Sequence, residues 1–147
     1  DGEDGCAELA AVAAAMDKRP EGGGITRRPR ALVVEDAPLN RKIFVRLLEK
    51  LGVACEEAAD GLAAVEAFEA GGEYDVVFMD SQMPVMCGGD ATSKIRALGV
   101  SIPIVGLTGN TLTDEREEFV KRGLSDFIAK PPSHRSIVSV LNKYGLL

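Results

Sequence analysis

The stretch Ala31-Leu32-Val33-Val34-Glu35-Asp36-Ala37-Pro38 decides the fold. Four apolar residues run without interruption, as in a strand buried on both faces, and stop at two adjacent acids. Pro38 suits a first helical turn. Beyond it Leu39, Ile43, Phe44, Leu47, Leu48 and Leu51 recur at helical spacing on one face, and Gly52 ends the run. The same unit then repeats. Residues 53–58 form a more polar strand containing Glu56 and Glu57, and Asp60 caps a helix that runs to about residue 70, where Gly71-Gly72 closes it. Residues 75–79 are a buried-type strand ending in Asp80, and a loop over 81–89 leads to a helix over 90–98. Residues 102–107 make a fourth strand ending in Thr108, followed by an unusually polar helix over 111–121. A short strand over 125–129 ends in Lys130, and a last helix over 133–144 carries Ile137, Val138, Val140, Leu141 and Tyr144 on its apolar side.

Strands alternating with helices imply right-handed βαβ crossovers and a parallel sheet covered on both faces. The fully apolar runs at 31–34, 76–79 and 102–107 suit central strands, and the polar runs at 53–58 and 125–129 suit edges. The expected fold is therefore an α/β, flavodoxin-like (βα)5 doubly wound sheet of strand order 2-1-3-4-5.

The chain of 147 residues is long enough for one well-packed domain. A net charge of −6 speaks against a nucleic-acid footprint, and no apolar run approaches the ~20 residues that span a bilayer. Cys6, Cys55 and Cys87 include no CxxC pair, and His134 is the lone histidine, so neither a disulfide framework nor a zinc site is expected. This cysteine usage fits a reducing, cytoplasmic setting. Residues 1–29 read as a flexible linker: an Ala-rich patch, a marginal helix over 8–17 and the breaker Gly22-Gly23-Gly24, with the basic cluster Arg27-Arg28-Pro29-Arg30 at the boundary read as solvated charge in preference to a partner or lipid contact. The domain is expected over 30–147, and Asp rather than Met at position 1 reads as a segment of a longer or trimmed polypeptide.

In doubly wound sheets, ligands bind outside the carboxyl ends of the strands. Here those ends carry Glu35-Asp36, Asp80, Thr108 and Lys130 in order. Each has a plain reading alone: helix-start acids, a turn Asp, a capping Thr, a solvated Lys. Four ends carrying an acid pair, Asp, Thr and Lys together are another matter. Glu35, Asp36 and Asp80 brought together call for a cation, and an all-oxygen set selects Mg²⁺ or Mn²⁺. Such an ion favours phosphate oxygens as further ligands. Asp80 then suits a carboxylate nucleophile forming an aspartyl phosphate, with Lys130 neutralising phosphoryl charge and Thr108 donating to a phosphoryl oxygen. A dehalogenase-type phosphatase would place DxDx on the first strand, whereas VVEDAPLN stands there, and no Gly-rich phosphate loop follows it.

The segments ALVVEDAPLNRKIFVRLLEKLG at 31–52, DVVFMDSQMPVMCGG at 75–89, IPIVGLTGN at 102–110 and GLSDFIAKPP at 123–132 resemble a response-regulator receiver domain of two-component signalling. PLNRKIF, MDSQMPVM and GLTGNT are most similar to receivers attached to hybrid histidine kinases, and no helix-turn-helix output domain is expected after the last helix. The resemblance implies Glu35, Asp36 and Asp80 as metal ligands, joined by the main-chain carbonyl of Gln82. It implies Asp80 as the phosphoacceptor, Thr108 and Phe127 as switch residues, Lys130 as the family lysine, and a cis Lys130–Pro131 bond. The implied donors and acceptors are the phosphohistidine domain of a histidine kinase and a histidine phosphotransfer protein, with self-dephosphorylation and no nucleic-acid or membrane contact. The last two helices and strand 5 would change shape. A receiver-like interaction module without phosphoryl turnover remains the alternative. Cys87 and Gly89 depart from the family pattern and are expected to loosen the loop beside Asp80; Cys87 reads as an inert loop cysteine or a redox-sensitive thiol. The polar helix over 111–121 reads equally as a partner-exchanging face or as a solvated helix.

Overall fold

A computed structural model of the chain describes residues 28–83, 85–109 and 113–147, the first three residues of the last segment by their backbone only. The expected helix over 8–17, most of the expected linker and residues 110–112 lie outside the described residues. Five strands alternate with five helices: β1 (Arg30–Val34), α1 (Pro38–Lys50), β2 (Ala54–Ala58), α2 (Gly61–Glu69), β3 (Val76–Asp80), α3 (Gly88–Ala97), β4 (Ile104–Thr108), α4 (Thr113–Lys121), β5 (Asp126–Ala129) and α5 (His134–Lys143). The sheet is parallel throughout, in the order β2-β1-β3-β4-β5.

Every residue of β3 and β4 is buried, whereas β2 and β5 expose Glu56, Glu57 and Ala129, as central and edge strands should. Alternate strand residues feed two cores. Ala31, Val33, Phe78 and Leu107 meet α1 and α5, with Phe44 against Phe78 edge to face at 4.9 Å. Leu32, Val34, Val77 and Met79 meet α2, α3 and α4 on the other side. Local chemistry sets the helix limits. The Asp60 carboxylate accepts from the Ala63 amide, and Ser133 and Ser136 close a capping box on α5. The left-handed backbone at Gly52, φ 88°, terminates α1 where any Cβ would strain it.

Three expectations change. Within α1, Leu39 and Ile43 are 72% and 52% exposed, and Val45 takes a core place beside Phe44 and Leu48. The helix has more apolar residues than its buried face can hold. Second, α3 begins at Gly88, not residue 90, so Gly88 and Gly89 are helical rather than a loosened loop. A Cβ on Gly88 would lie 2.3 Å from the Asp80 carbonyl oxygen, so the helix start can press onto β3 only through glycine. Third, Arg28 and Pro29 are tied to the sheet: Arg28 Nε donates to the Gly52 carbonyl at 3.0 Å, and the Ala54 amide donates to the Pro29 carbonyl at 2.8 Å. Arg30 pairs with Glu56 at the surface, where both side chains stay exposed, so its charge is solvated as expected.

The division of α1 is testable by urea unfolding. Leu48→Ala should cost about 2–5 kcal/mol and Leu39→Ala no more than about 0.5 kcal/mol. Equal losses would contradict this packing.

Candidate functional site

Parallel register brings the strand ends together. Val34 of β1 is level with Met79 of β3, so Glu35 and Asp80, each the next residue, meet at one edge of the sheet. Asp80 is level with Leu107, and Thr108 with Ala129, which brings Thr108 and Lys130 to the same edge. The Lys130 amide donates to the Thr108 carbonyl at 2.9 Å, and Lys130–Pro131 is cis.

The side chains converge. Carboxylate oxygens of Glu35, Asp36 and Asp80 lie within 4.8 Å of one another. Asp80 is 1% exposed, Glu35 is buried and Asp36 is open to solvent. Lys130 Nζ lies 2.7 Å from Asp80 Oδ1 and 3.9 Å from Glu35 Oε1. The Gln82 amide donates to Asp80 Oδ1 at 3.2 Å, and the Ala37 amide to Glu35 Oε2 at 3.1 Å. Thr108 is buried at the end of β4. Phe127 lies on β5, with its ring 6.3 Å from that of Phe119 and the Arg116 guanidinium 4.6 Å from its centroid.

Burial pushes the Glu35 carboxyl up to about 7; the Asp80 charge adds to this, while the Ala37 amide and Lys130 oppose it. Three carboxylates facing one ammonium leave an excess of negative charge that a hard cation would neutralise. The all-oxygen donor set suits Mg²⁺ or Mn²⁺. Sequence reasoning missed Arg41, Gly88, Arg116 and Phe119 around this site. Only the glycine carries any signal in a single sequence, through the Gly88-Gly89 pair, and there the looseness is read into Cys87 and Gly89.

A doubly wound sheet with clustered carboxylates and a lysine at its carboxyl edge defines a class of α/β domain with an acidic site suited to a cation. The comparisons give the family: the response regulator receiver domain profile matches residues 31–142. The chain belongs to the response regulator receiver domain family of two-component signal transduction. It is 38% identical to two-component response regulator 24 of Arabidopsis thaliana over 77% of this chain and 81% of that one. It is 37% identical to sensor protein GacS of Pseudomonas syringae over 81% of this chain but only 14% of GacS, so it spans a small part of such kinases. Among solved structures it resembles the receiver domain of sensor histidine kinase PA1611 from Pseudomonas aeruginosa, which holds a magnesium ion in its active-site cleft. The TM-score is 0.73 at 35% identity, over 80% of this chain and 97% of that one. The receiver domain of Ssk1 from Saccharomyces cerevisiae, solved with the phosphotransfer protein Ypd1, matches with a TM-score of 0.75 at 25% identity, over 81% and 90%. No helix among the described residues is long and apolar enough to cross a membrane.

The raised Glu35 carboxyl has a sign that can be checked. The folded state holds this proton up to about 7, against 4.5 for an unperturbed carboxyl, so its contribution to stability is complete below pH 4.5 and lost as pH rises through 7. In chelator-treated protein the urea midpoint should fall across that window, and less so in Glu35→Gln. Parallel pH profiles would contradict the burial argument.

Proposed function

We propose that this receiver domain accepts a phosphoryl group on Asp80 from a phosphohistidine in a Mg²⁺-dependent reaction. The observation that carries this reading is the buried Asp80 carboxylate, ion-paired at 2.7 Å with Lys130 and within 4.8 Å of two further acids. Glu35, Asp36, Asp80 and the main-chain carbonyl of Gln82 would hold the ion. When bound, Mg²⁺ supplies charge neutralisation for the carboxylates and for the incoming phosphoryl oxygens. Asp80 forms the new O–P bond as the N–P bond of the donor histidine breaks, and the imidazole leaves with that bonding pair. Lys130 balances the phosphoryl charge.

Thr108 then donates to a phosphoryl oxygen and Phe127 follows inward, which changes the face formed by α4, β5 and α5. Phe127 must leave its stack with Arg116 to do so. In a phosphorelay Asp80 passes the group on to a histidine phosphotransfer protein. The free thiols of Cys55 and Cys87 fit the cytoplasmic setting this reading requires.

The same reading explains the uncovered apolar residues of α1. A cavity of about 340 Å³ is lined by Glu35 and Lys130 together with Ile43, Leu47, Pro131 and Pro132. Next to it a groove along α1 is lined by Leu39, Ile43 and Leu47 with Lys42, Arg46 and Lys50. A phosphohistidine-bearing partner with an apolar patch and an acidic rim fits this surface, which runs straight into the acceptor site.

Two outcomes follow. Asp80→Asn should abolish acid-labile phosphate incorporation from acetyl phosphate with Mg²⁺, and persistent labelling would overturn the assignment. Ile43→Arg should slow labelling by a phosphohistidine protein about tenfold more than labelling by acetyl phosphate, which needs no docking. Equal slowing would remove α1 from the docking surface.

A further inference from the structure

The loop between β1 and α1 carries two of the three acids, and its own side-chain tie is the Glu35 carboxylate accepting from the Ala37 amide. Ala37 is the N-cap of α1 and offers no side-chain cap. Glu35, Asp36 and Asp80 repel one another, so a loop free to relax would separate them.

Arg41, half-buried on the first turns of α1, supplies the missing restraint. Its Nη1 donates to the Glu35 main-chain carbonyl at 2.8 Å, and its Nε donates to Glu57 Oε1, on β2, at 2.8 Å. Lys42 Nζ holds the other Glu57 oxygen at 3.1 Å, and the bonds from Arg41 and Lys42 hold the Glu57 carboxyl below its usual range. The Glu35 amide in turn donates to the carbonyl of Ala58, the next residue of β2, at 3.1 Å. Both main-chain polar groups of Glu35 are therefore anchored, one to β2 directly and the other to β2 through the Arg41 fork. The Arg41 side chain in that ion pair is only 15% exposed, while its Glu57 partner lies at the surface. A planar fork can serve a carbonyl and a carboxylate at once, whereas an ammonium is a single point of charge.

We infer that Arg41 is a positioning residue for the divalent ion: it fixes the Glu35 main chain against β2 and so holds the acid pair opposite Asp80. Arg41 contacts neither the ion nor the phosphoryl group. This inference rests on the proposed metal site, and its test separates the two.

Mn²⁺ binding is measured from the electron paramagnetic resonance signal of the free ion, for wild type, Arg41→Ala, Arg41→Lys, Glu57→Gln and Asp36→Asn, with circular dichroism melts of each without metal. Arg41→Ala should weaken Mn²⁺ binding about tenfold or more, as loss of an outer partner of a ligand does. Arg41→Lys should recover only part of that loss, and Glu57→Gln should weaken binding less than Arg41→Ala. A role confined to stability would lower the melting temperature and leave the dissociation constant of the folded protein unchanged, and that result overturns the inference. If Arg41→Ala does not fold, Arg41→Lys and Glu57→Gln decide on the same criterion. If Asp36→Asn binds Mn²⁺ as well as wild type, the metal site itself is wrong and the role of Arg41 falls with it. If Asp36→Asn loses binding while the Arg41 and Glu57 variants keep it, the Arg41 inference alone fails.

Discussion

Like charge gathered at one edge of a sheet is the constraint on which the rest of the structure depends. Because β1 and β3 are neighbours in parallel register, the residues that follow Val34 and Met79 must face each other, and in this chain they are Glu35 and Asp80. Asp36 adds a third carboxylate within 4.8 Å. Such an arrangement is tolerable in the folded protein only with compensation. Lys130 supplies an opposing charge from the far strand, the Ala37 and Gln82 amides supply hydrogen bonds, and Glu35 keeps its proton up to about 7. A divalent cation would complete the compensation, so the electrostatic conflict built into the fold is also what makes the site receptive to one.

The surroundings of that edge show how a local change could be passed on. Gly88 lets α3 press against the Asp80 carbonyl, and the Phe119 ring occupies the space beside Gly88 where a Cβ would lie at 3.0 Å from its edge. Phe119 packs edge to face with Phe127, which is covered in turn by Arg116. Packed rings between the acceptor strand and the surface of α4 provide a continuous path of contacts. Any displacement of Phe127 has to break its contacts with Phe119 and Arg116, both on α4.

Much of this was legible in the sequence because the signals were redundant. The uninterrupted apolar runs of β1, β3 and β4 marked central strands, the acids of β2 marked an edge, and the strand order followed from the two together. The carboxylates, Thr108 and Lys130 stood out because polar residues terminate otherwise apolar strands. Tertiary competition was not legible. Helical spacing assigned Leu39 and Ile43 to the core, but a cylinder packed on a sheet buries a limited arc, and Phe44, Val45 and Leu48 fill it. Cys87 and Gly89 looked like loosening residues, yet the helix starts at Gly88, whose close approach to the Asp80 carbonyl leaves no room for a Cβ. Arg41 was invisible for a different reason. Its partners are a main-chain carbonyl and a carboxylate on another strand, and neither leaves a mark at position 41.

The central claim, that the buried carboxylate at the end of β3 is the group that takes the phosphoryl unit, is tested most directly by chemical trapping. Protein incubated with acetyl phosphate and Mg²⁺ is reduced with borohydride, which converts an acyl phosphate to an alcohol, and the digest is read by mass spectrometry. The account predicts conversion at Asp80 and at no other carboxylate, dependent on the metal. Conversion at Asp36 or elsewhere, or conversion at Asp80 that survives complete chelation of divalent ions, would contradict it.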